Sequence, residues 1–193
     1  MRPSRPIEGL MEIRDLTLPG VKRIQPKVFP DPRGYFFESY RVDRLTEAGL
    51  PAFVQDNQSF SSRGTLRGLH YQLQKPQGKL VRVLQGAVLD VVVDIRVGSP
   101  TFGKWLSEEL SAENKVQIYV PPGYAHGFLV TTDTAEVLYK CTDYYSGAAD
   151  QRGVLWNDPG LGIEWKLQEA PLLSDKDRTW LPLDPARADL PRF

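Results

Sequence analysis

The chain of 193 residues holds two histidines and one cysteine, and each scarcity excludes something. A lone Cys141 cannot form an intramolecular disulfide, so a reducing, cytoplasmic setting is expected. Two imidazoles, His70 and His126, fall short of a three-histidine metal site but suffice for proton transfer near neutral pH. Neither sign of charge is in excess: 24 Lys and Arg balance 24 Asp and Glu. That balance argues against a general nucleic-acid binder or a polybasic membrane binder, while leaving room for a local basic pocket that holds a phosphate. No apolar run has the length of a bilayer span, and no apolar signal region follows Met1–Pro6. Neither a P-loop nor a Rossmann glycine fingerprint is present, so a nucleotide bound here is held in some other way.

What the chain does have is strand pattern and turn signal. Asp90 to Arg96 alternates, with Val91, Val93 and Ile95 on one face and Asp90, Asp94 and Arg96 on the other. Val116, Ile118 and Val120 alternate with Gln117 and Tyr119. Lys79 to Leu84 is apolar on both faces, the pattern of a strand covered on each side. Glu136 to Tyr145, if extended throughout, puts Val137, Tyr139, Cys141, Asp143 and Tyr145 on one face. Glycine and proline, 16 of each, cluster between these runs, as in Pro30–Gly34, Gly98–Pro100, Pro121–Gly123 and Asp158–Gly160. Many short strands with frequent turns predict an all-β fold, a sandwich or barrel of the jelly-roll kind, in one domain over residues 1–193. Helix is expected to be minor. Asp43–Gly49 reads as one short helix with Asp43 as N-cap and Gly49 at its end, and residues 166–180 as a place for another towards the C-terminus. Residues 1–10 and 184–193 read as loosely held termini.

Pro121-Pro122-Gly123-Tyr124-Ala125-His126 fits the PxGxxH box of the cupins, which supports the jelly roll. In metal-binding cupins a first box supplies His-x-His, but here the corresponding place is His70-Tyr71-Gln72, with Gln72 standing where a second histidine would be. A metal would find at most two imidazoles, too few for the usual set of three or more protein ligands.

A wider resemblance covers about Met11 to Leu181. It runs through Asp31–Glu38, Phe53–Asn57, Leu66–Gln72, Gly78–Arg82, Asp94–Arg96, Ser99–Gly103, the His126 box, Tyr139-Lys140, Tyr144-Tyr145, Trp156–Pro159 and Ser174–Asp177. In these segments, in this order, the chain resembles the dTDP-4-dehydrorhamnose 3,5-epimerases, a metal-free branch of the cupins. The resemblance implies a dTDP-linked 4-keto-6-deoxy sugar as substrate, no cofactor, no metal, and a homodimer in which an N-terminal segment reaches the partner's site. Chemistry then follows from the substrate. A C4 ketone acidifies the hydrogens on C3 and C5, because deprotonation leaves an enolate. Inverting a carbon needs a base on one face, an acid on the other, and a positive group or donor at the C4 oxygen.

The resemblance gives His70 as base, Asp177 as its carboxylate partner, Tyr139 as acid and Lys79 as the enolate's cation. A neutral imidazole takes a proton readily at pH 7, and a phenol with pKa near 10 carries one to give. Three of the four also have a plainer reading. Ser174-Asp175-Lys176-Asp177 is a capping-box pattern, Tyr139 suits a core, and Lys79 suits an edge strand pointing at water. Arg33 and Arg67 are candidates for the diphosphate, since guanidinium forks match phosphate oxygens and the glycine after each would let backbone approach a ligand. Glu38, Gln55 and Asn57 carry over as sugar and base contacts, Tyr145 as a stacking partner for thymine, and His126 as a pocket residue near the sugar or phosphate. Inversion at C3 alone or C5 alone remains an alternative, because such enzymes share the His–Asp–Tyr set. More distant alternatives are a metal-dependent cupin oxygenase or isomerase and a non-catalytic nucleotide-sugar binder.

Overall fold

A computed structural model describes residues 10–193; the expectation for the first ten residues falls, but for Leu10, outside the described residues. The strands are β1 (Met11–Asp15), β2 (Lys22–Pro26), β3 (Phe29–Asp31), β4 (Gly34–Phe36), β5 (Gln55–Ser62), β6 (Leu66–Gln72) and β7 (Lys79–Gln85). They continue with β8 (Ala87–Asp94), β9 (Trp105–Ser111), β10 (Gln117–Val120), β11 (Tyr124–Val130), β12 (Thr134–Cys141) and β13 (Gln151–Gly153). A six-stranded sheet, β1-β2-β10-β7-β12-β5, faces a five-stranded one, β13-β6-β11-β8-β9, while β3 and β4 form a separate hairpin. Nearly all of the regular structure is antiparallel strand, in the arrangement of a cupin-like jelly roll. No helix among the described residues is long and apolar enough to cross a membrane.

Strand periodicity explains three apolar layers. Side chains alternate across a strand, so a strand apolar on both faces must be covered on both. Between the sheets Val81, Val83, Ile118, Val120 and Val137 meet Val88, Val92, Leu110, Phe128 and Val130. Outside the five-stranded sheet, Leu69, Tyr71, Val91, Val93 and Ile95 pack under Val154, Leu161, Trp165 and Leu190 of the C-terminal segment. Outside the six-stranded sheet, Ile24, Leu80 and Tyr119 pack with Leu45 and Leu50.

Three expectations change here. The helix is α1 (Val42–Glu47), and no helix forms over residues 166–180, which make turns, so the minor helix lies towards the N-terminus instead. Its N-cap is Arg41 without a side-chain cap bond; Asp43 sits in the first turn, held by Arg41 at 2.8 Å. The C-terminal tail is tied down rather than loose: Leu190 is buried, Val97 N–H donates to Pro191 O at 2.9 Å, and Phe193 N–H to Val97 O at 3.0 Å. Alternation on β8 holds, and Asp90 and Asp94 are fully buried. They share their face with Val88 and Val92, and that face is the interior of the sandwich. Asp94 is offset there by Arg96 at 2.7 Å and by the hydroxyls of Ser99 and Thr101 at 2.7 and 2.6 Å.

Candidate active site

The strand that carries His70 is irregular where it matters. Against β11, Phe128 pairs with Arg67 and His126 with His70, so three steps on β6 match two on β11. The extra residue makes a bulge at Gly68, whose φ of +137° is strained for any residue with a side chain. An added Cβ at Gly68 would also lie 2.6 Å from Gly127 Cα. This glycine therefore serves the approach of β6 to β11, not the approach of backbone to a ligand. The bulge has a direct consequence. Residues three apart point to opposite faces of a regular strand, yet Arg67 and His70 both line the interior cavity.

That cavity, of about 660 Å³, opens between the sheets. From the five-stranded sheet come Arg67, His70 and His126; from the six-stranded sheet come Lys79 and Tyr139; Ser174, Lys176 and Asp177 close one end from the C-terminal segment. An adjoining space of about 340 Å³ shares His70, Lys79, Tyr139 and Gln151 with it and adds Gln55, Asn57, Gln72 and Tyr145. Strand β12 ends at Cys141, so Tyr145 does not share a strand face with Tyr139. It joins the site from a loop whose backbone N–H donates to Gln55 Oε1 at 2.9 Å. Nine of the eleven expected residues thus surround one continuous space.

The other two lie apart from it. Arg33 is exposed on the β3–β4 hairpin and, among the described residues, is held only to Asp31, at 2.7 Å. Glu38 lies by a small space with Met11, Ile13 and Arg44, its Oε2 3.7 Å from Arg41 and its Oε1 buried without a hydrogen-bond partner among the described residues.

His70 Nε2 lies 2.5 Å from Asp177 Oδ1. Burial pushes the Asp177 carboxyl up, but hydrogen bonding and charge from His70, with hydrogen bonds from Trp180 and Ser174, outweigh it and hold the group below the ordinary carboxylate range. An ionised carboxylate only accepts, so Nε2 carries the proton and Nδ1 is left with the lone pair. Only half of the capping box forms: Asp177 N–H donates to Ser174 Oγ at 3.2 Å, but no helix follows and the carboxylate turns to His70 and Trp180 instead of reaching back to the Ser174 backbone N–H.

Burial pushes the Tyr139 phenol up, with Cys141 and Tyr145 adding to it and Arg67 opposing, so the hydroxyl stays protonated. Lys79 is 9% exposed on the inward face of β7, not at a wet edge. Burial pushes its ammonium down, against the opposing pull of Cys141 and Asp90. His126 Nε2 lies 2.8 Å from Asp90 Oδ2, and the other oxygen of Asp90 is buried without a partner among the described residues. No group of three or more His, Cys, Asp or Glu side chains is placed to hold a metal among the described residues.

Asp90, Lys176, Gln151 and Trp180 are site residues that sequence reasoning missed. Only Asp90 left a signal, its even spacing from Val88 and Val92. The others come from a turn-rich segment and a three-residue strand, where no periodicity exists to be read.

An imidazole on one sheet, backed by a carboxylate from the C-terminal segment and facing a phenol and an ammonium on the other sheet, gives a jelly-roll protein a site with the chemistry for proton transfer across a bound ligand. Comparison with known proteins narrows this. The family model for dTDP-4-dehydrorhamnose 3,5-epimerase matches residues 15–184. A dTDP-4-dehydrorhamnose 3,5-epimerase of Pseudomonas aeruginosa is 56% identical over 170 residues, covering 87% of this chain and 93% of that protein. One from Neisseria gonorrhoeae is 55% identical over 174 residues, 88% of this chain, which spans only 53% of that protein's length. The crystal structure of the Legionella pneumophila dTDP-6-deoxy-D-glucose-3,5-epimerase, in complex with dTDP-4-keto-L-rhamnose, superposes with a TM-score of 0.91. It is 48% identical, over 95% of this chain and 98% of that one. The chain belongs to the dTDP-4-dehydrorhamnose 3,5-epimerase family.

Proposed function

We propose that the chain is a dTDP-4-dehydrorhamnose 3,5-epimerase. It inverts C3 and C5 of dTDP-4-dehydro-6-deoxy-D-glucose to give dTDP-4-dehydro-L-rhamnose, in dTDP-L-rhamnose synthesis. The observation that carries this reading is that the base and acid candidates stand on opposite sheets, with the cavity between them. A sugar ring lying in that space presents one face to His70 and the other to Tyr139. His70 Nδ1 takes the proton from C5 or C3, and the electron pair moves into the C4 carbonyl as an enolate. Lys79, in a low-dielectric setting, stabilises the new negative charge. Tyr139 returns a proton to the far face and inverts the carbon. Solvent then reprotonates the phenolate and deprotonates the imidazolium. No hydride leaves the sugar.

Arg67, with Nε 3.1 Å from Ser61 Oγ, and Lys176 stand at the cavity as cations for the diphosphate. Gln55, Asn57 and Tyr145 line the adjoining space and suit the nucleoside, and His126 the sugar or phosphate. Proton NMR in deuterium oxide tests the reaction: deuterium is expected at both C3 and C5 of a rhamno-configured product. Label and inversion at one carbon alone would make the chain a single-carbon epimerase.

The functional unit is a homodimer in this reading. Supporting it, the β3–β4 hairpin exposes Phe29, Tyr35 and Phe36, the last two at 58% and 69%, and carries Arg33 away from its own cavity. Arg33 and Glu38 would then complete the site of the partner. Mixing inactive Arg33→Ala and His70→Ala protomers tests this. A mixed dimer regains one intact site, so activity should reappear on mixing; none would reappear if each chain's site used its own Arg33.

A further inference from the structure

Asp177 depends on a segment that is neither helix nor strand. Residues 172–181 are pinned at their ends: Leu66 N–H donates to Leu172 O at 3.0 Å, Leu172 N–H to Gly64 O at 2.8 Å, and Leu155 N–H to Leu181 O at 3.0 Å. Between those anchors the carboxylate needs its own support, because a loop side chain can turn about two bonds. Trp180 supplies it. Its indole Nε1–H donates to Asp177 Oδ1 at 3.1 Å, the same oxygen that His70 meets. The ring stands edge-on to the imidazole, with centroids 6.3 Å apart at 73°. Gly153, paired with His70 across β13 and β6, lies under the indole; a Cβ there would come within 2.5 Å of Cδ2 and Cε2.

We propose that Trp180 is a positioning residue, seated on Gly153, that holds Asp177 Oδ1 in line with His70 Nε2. Of the described groups around the carboxylate, Trp180 alone shares with His70 the oxygen Oδ1, and a second donor on that oxygen fixes its direction and so fixes the ring. Misplacement of a reacting group by 1 Å can cost about 10²-fold in rate. A loosened but present carboxylate should cost less than that.

This inference rests on the proposed proton-transfer role of His70, so its test includes a readout independent of turnover. Because the chain has only two histidines, ¹⁵N-histidine labelling gives two ring systems, assigned with His70→Ala. Trp180→Phe removes the N–H but keeps a ring; Gly153→Ala keeps the indole but displaces it. In both, the Nε2–H signal of His70 should move or broaden through exchange with water, while that of His126 stays in place. In both, kcat should fall about tenfold with KM within about twofold, a fraction of the loss expected for a full 1 Å displacement. In a His70→Ala background, Trp180→Phe should cause no further loss. An unchanged His70 signal, a rise in KM alone, or an equal loss in the His70→Ala background would overturn the proposal. A moved His70 signal in a chain that epimerises nothing would instead overturn the function and leave the positioning intact.

Discussion

His70→Ala is expected to lower kcat by on the order of 10³-fold or more, at the upper end of the ~10²–10⁴ that a positioned base contributes. The expectation rests on how completely the site commits this ring. Nε2 is taken up by an ionised Asp177, so the lone pair on Nδ1 is the only basic position the ring offers. A second imidazole stands close by, since His126 is the cross-strand partner of His70. It is nonetheless a poor substitute. It is 8% exposed and its Nε2 is engaged by Asp90 on β8, so it cannot turn towards His70's place without leaving a buried carboxylate alone. The KM should change little, because the residues proposed for the diphosphate and nucleoside, Arg67, Lys176, Gln55, Asn57 and Tyr145, are left in place. Added imidazole should restore part of the rate by filling the vacated space beside Asp177. Steady-state kinetics with and without imidazole check both points. A loss below about tenfold would give the base role to another group, since a positioned base is worth at least ~10².

Much of this site could be read in the chain, and the rest could not, for identifiable reasons. Strands β7, β8 and β10 show as alternation or as short apolar runs, because each lies between two covered faces. The order of those faces does not show. Alternation on β8 separates an acidic face from an apolar one without telling which is covered, and the apolar outer face is sealed by Val154, Leu161, Trp165 and Leu190, far along the chain. With solvent excluded from both sides, Asp90 and Asp94 carry information about the site and its rim rather than about exposure. The bulge at Gly68 is likewise silent. A glycine beside an arginine suggests a ligand, whereas the residue is there to let β6 pass Gly127 and to turn Arg67 and His70 to one side. The turns over 166–180 misled for the opposite reason. Ser174 does make its capping contact, and a local pattern that is satisfied locally does not reveal whether a helix follows.

Tyr139→Phe should separate two events that are one in the native enzyme. Its hydroxyl is the proposed proton source on the six-stranded sheet, and burial keeps it protonated. Phenylalanine fills the same place without that proton, leaving His70, Asp177 and Lys79 untouched. Deprotonation should therefore continue, with the enolate still held beside Lys79 on the neighbouring strand. The imidazolium meanwhile exchanges its proton with solvent, and the only donor left is on the face from which the proton came. In deuterium oxide the sugar should pick up deuterium while keeping its original configuration. Inversion should fall by about 10²–10⁴-fold, the range for loss of a general acid. Proton NMR of recovered substrate, set against product formed, measures exchange and inversion in one sample. Exchange and inversion falling together by the same factor would place Tyr139 in the deprotonation step and end its assignment as the acid of the opposite face. Exchange that persists while inversion stops would give the two sheets separate tasks: one removes the proton, and the other returns it.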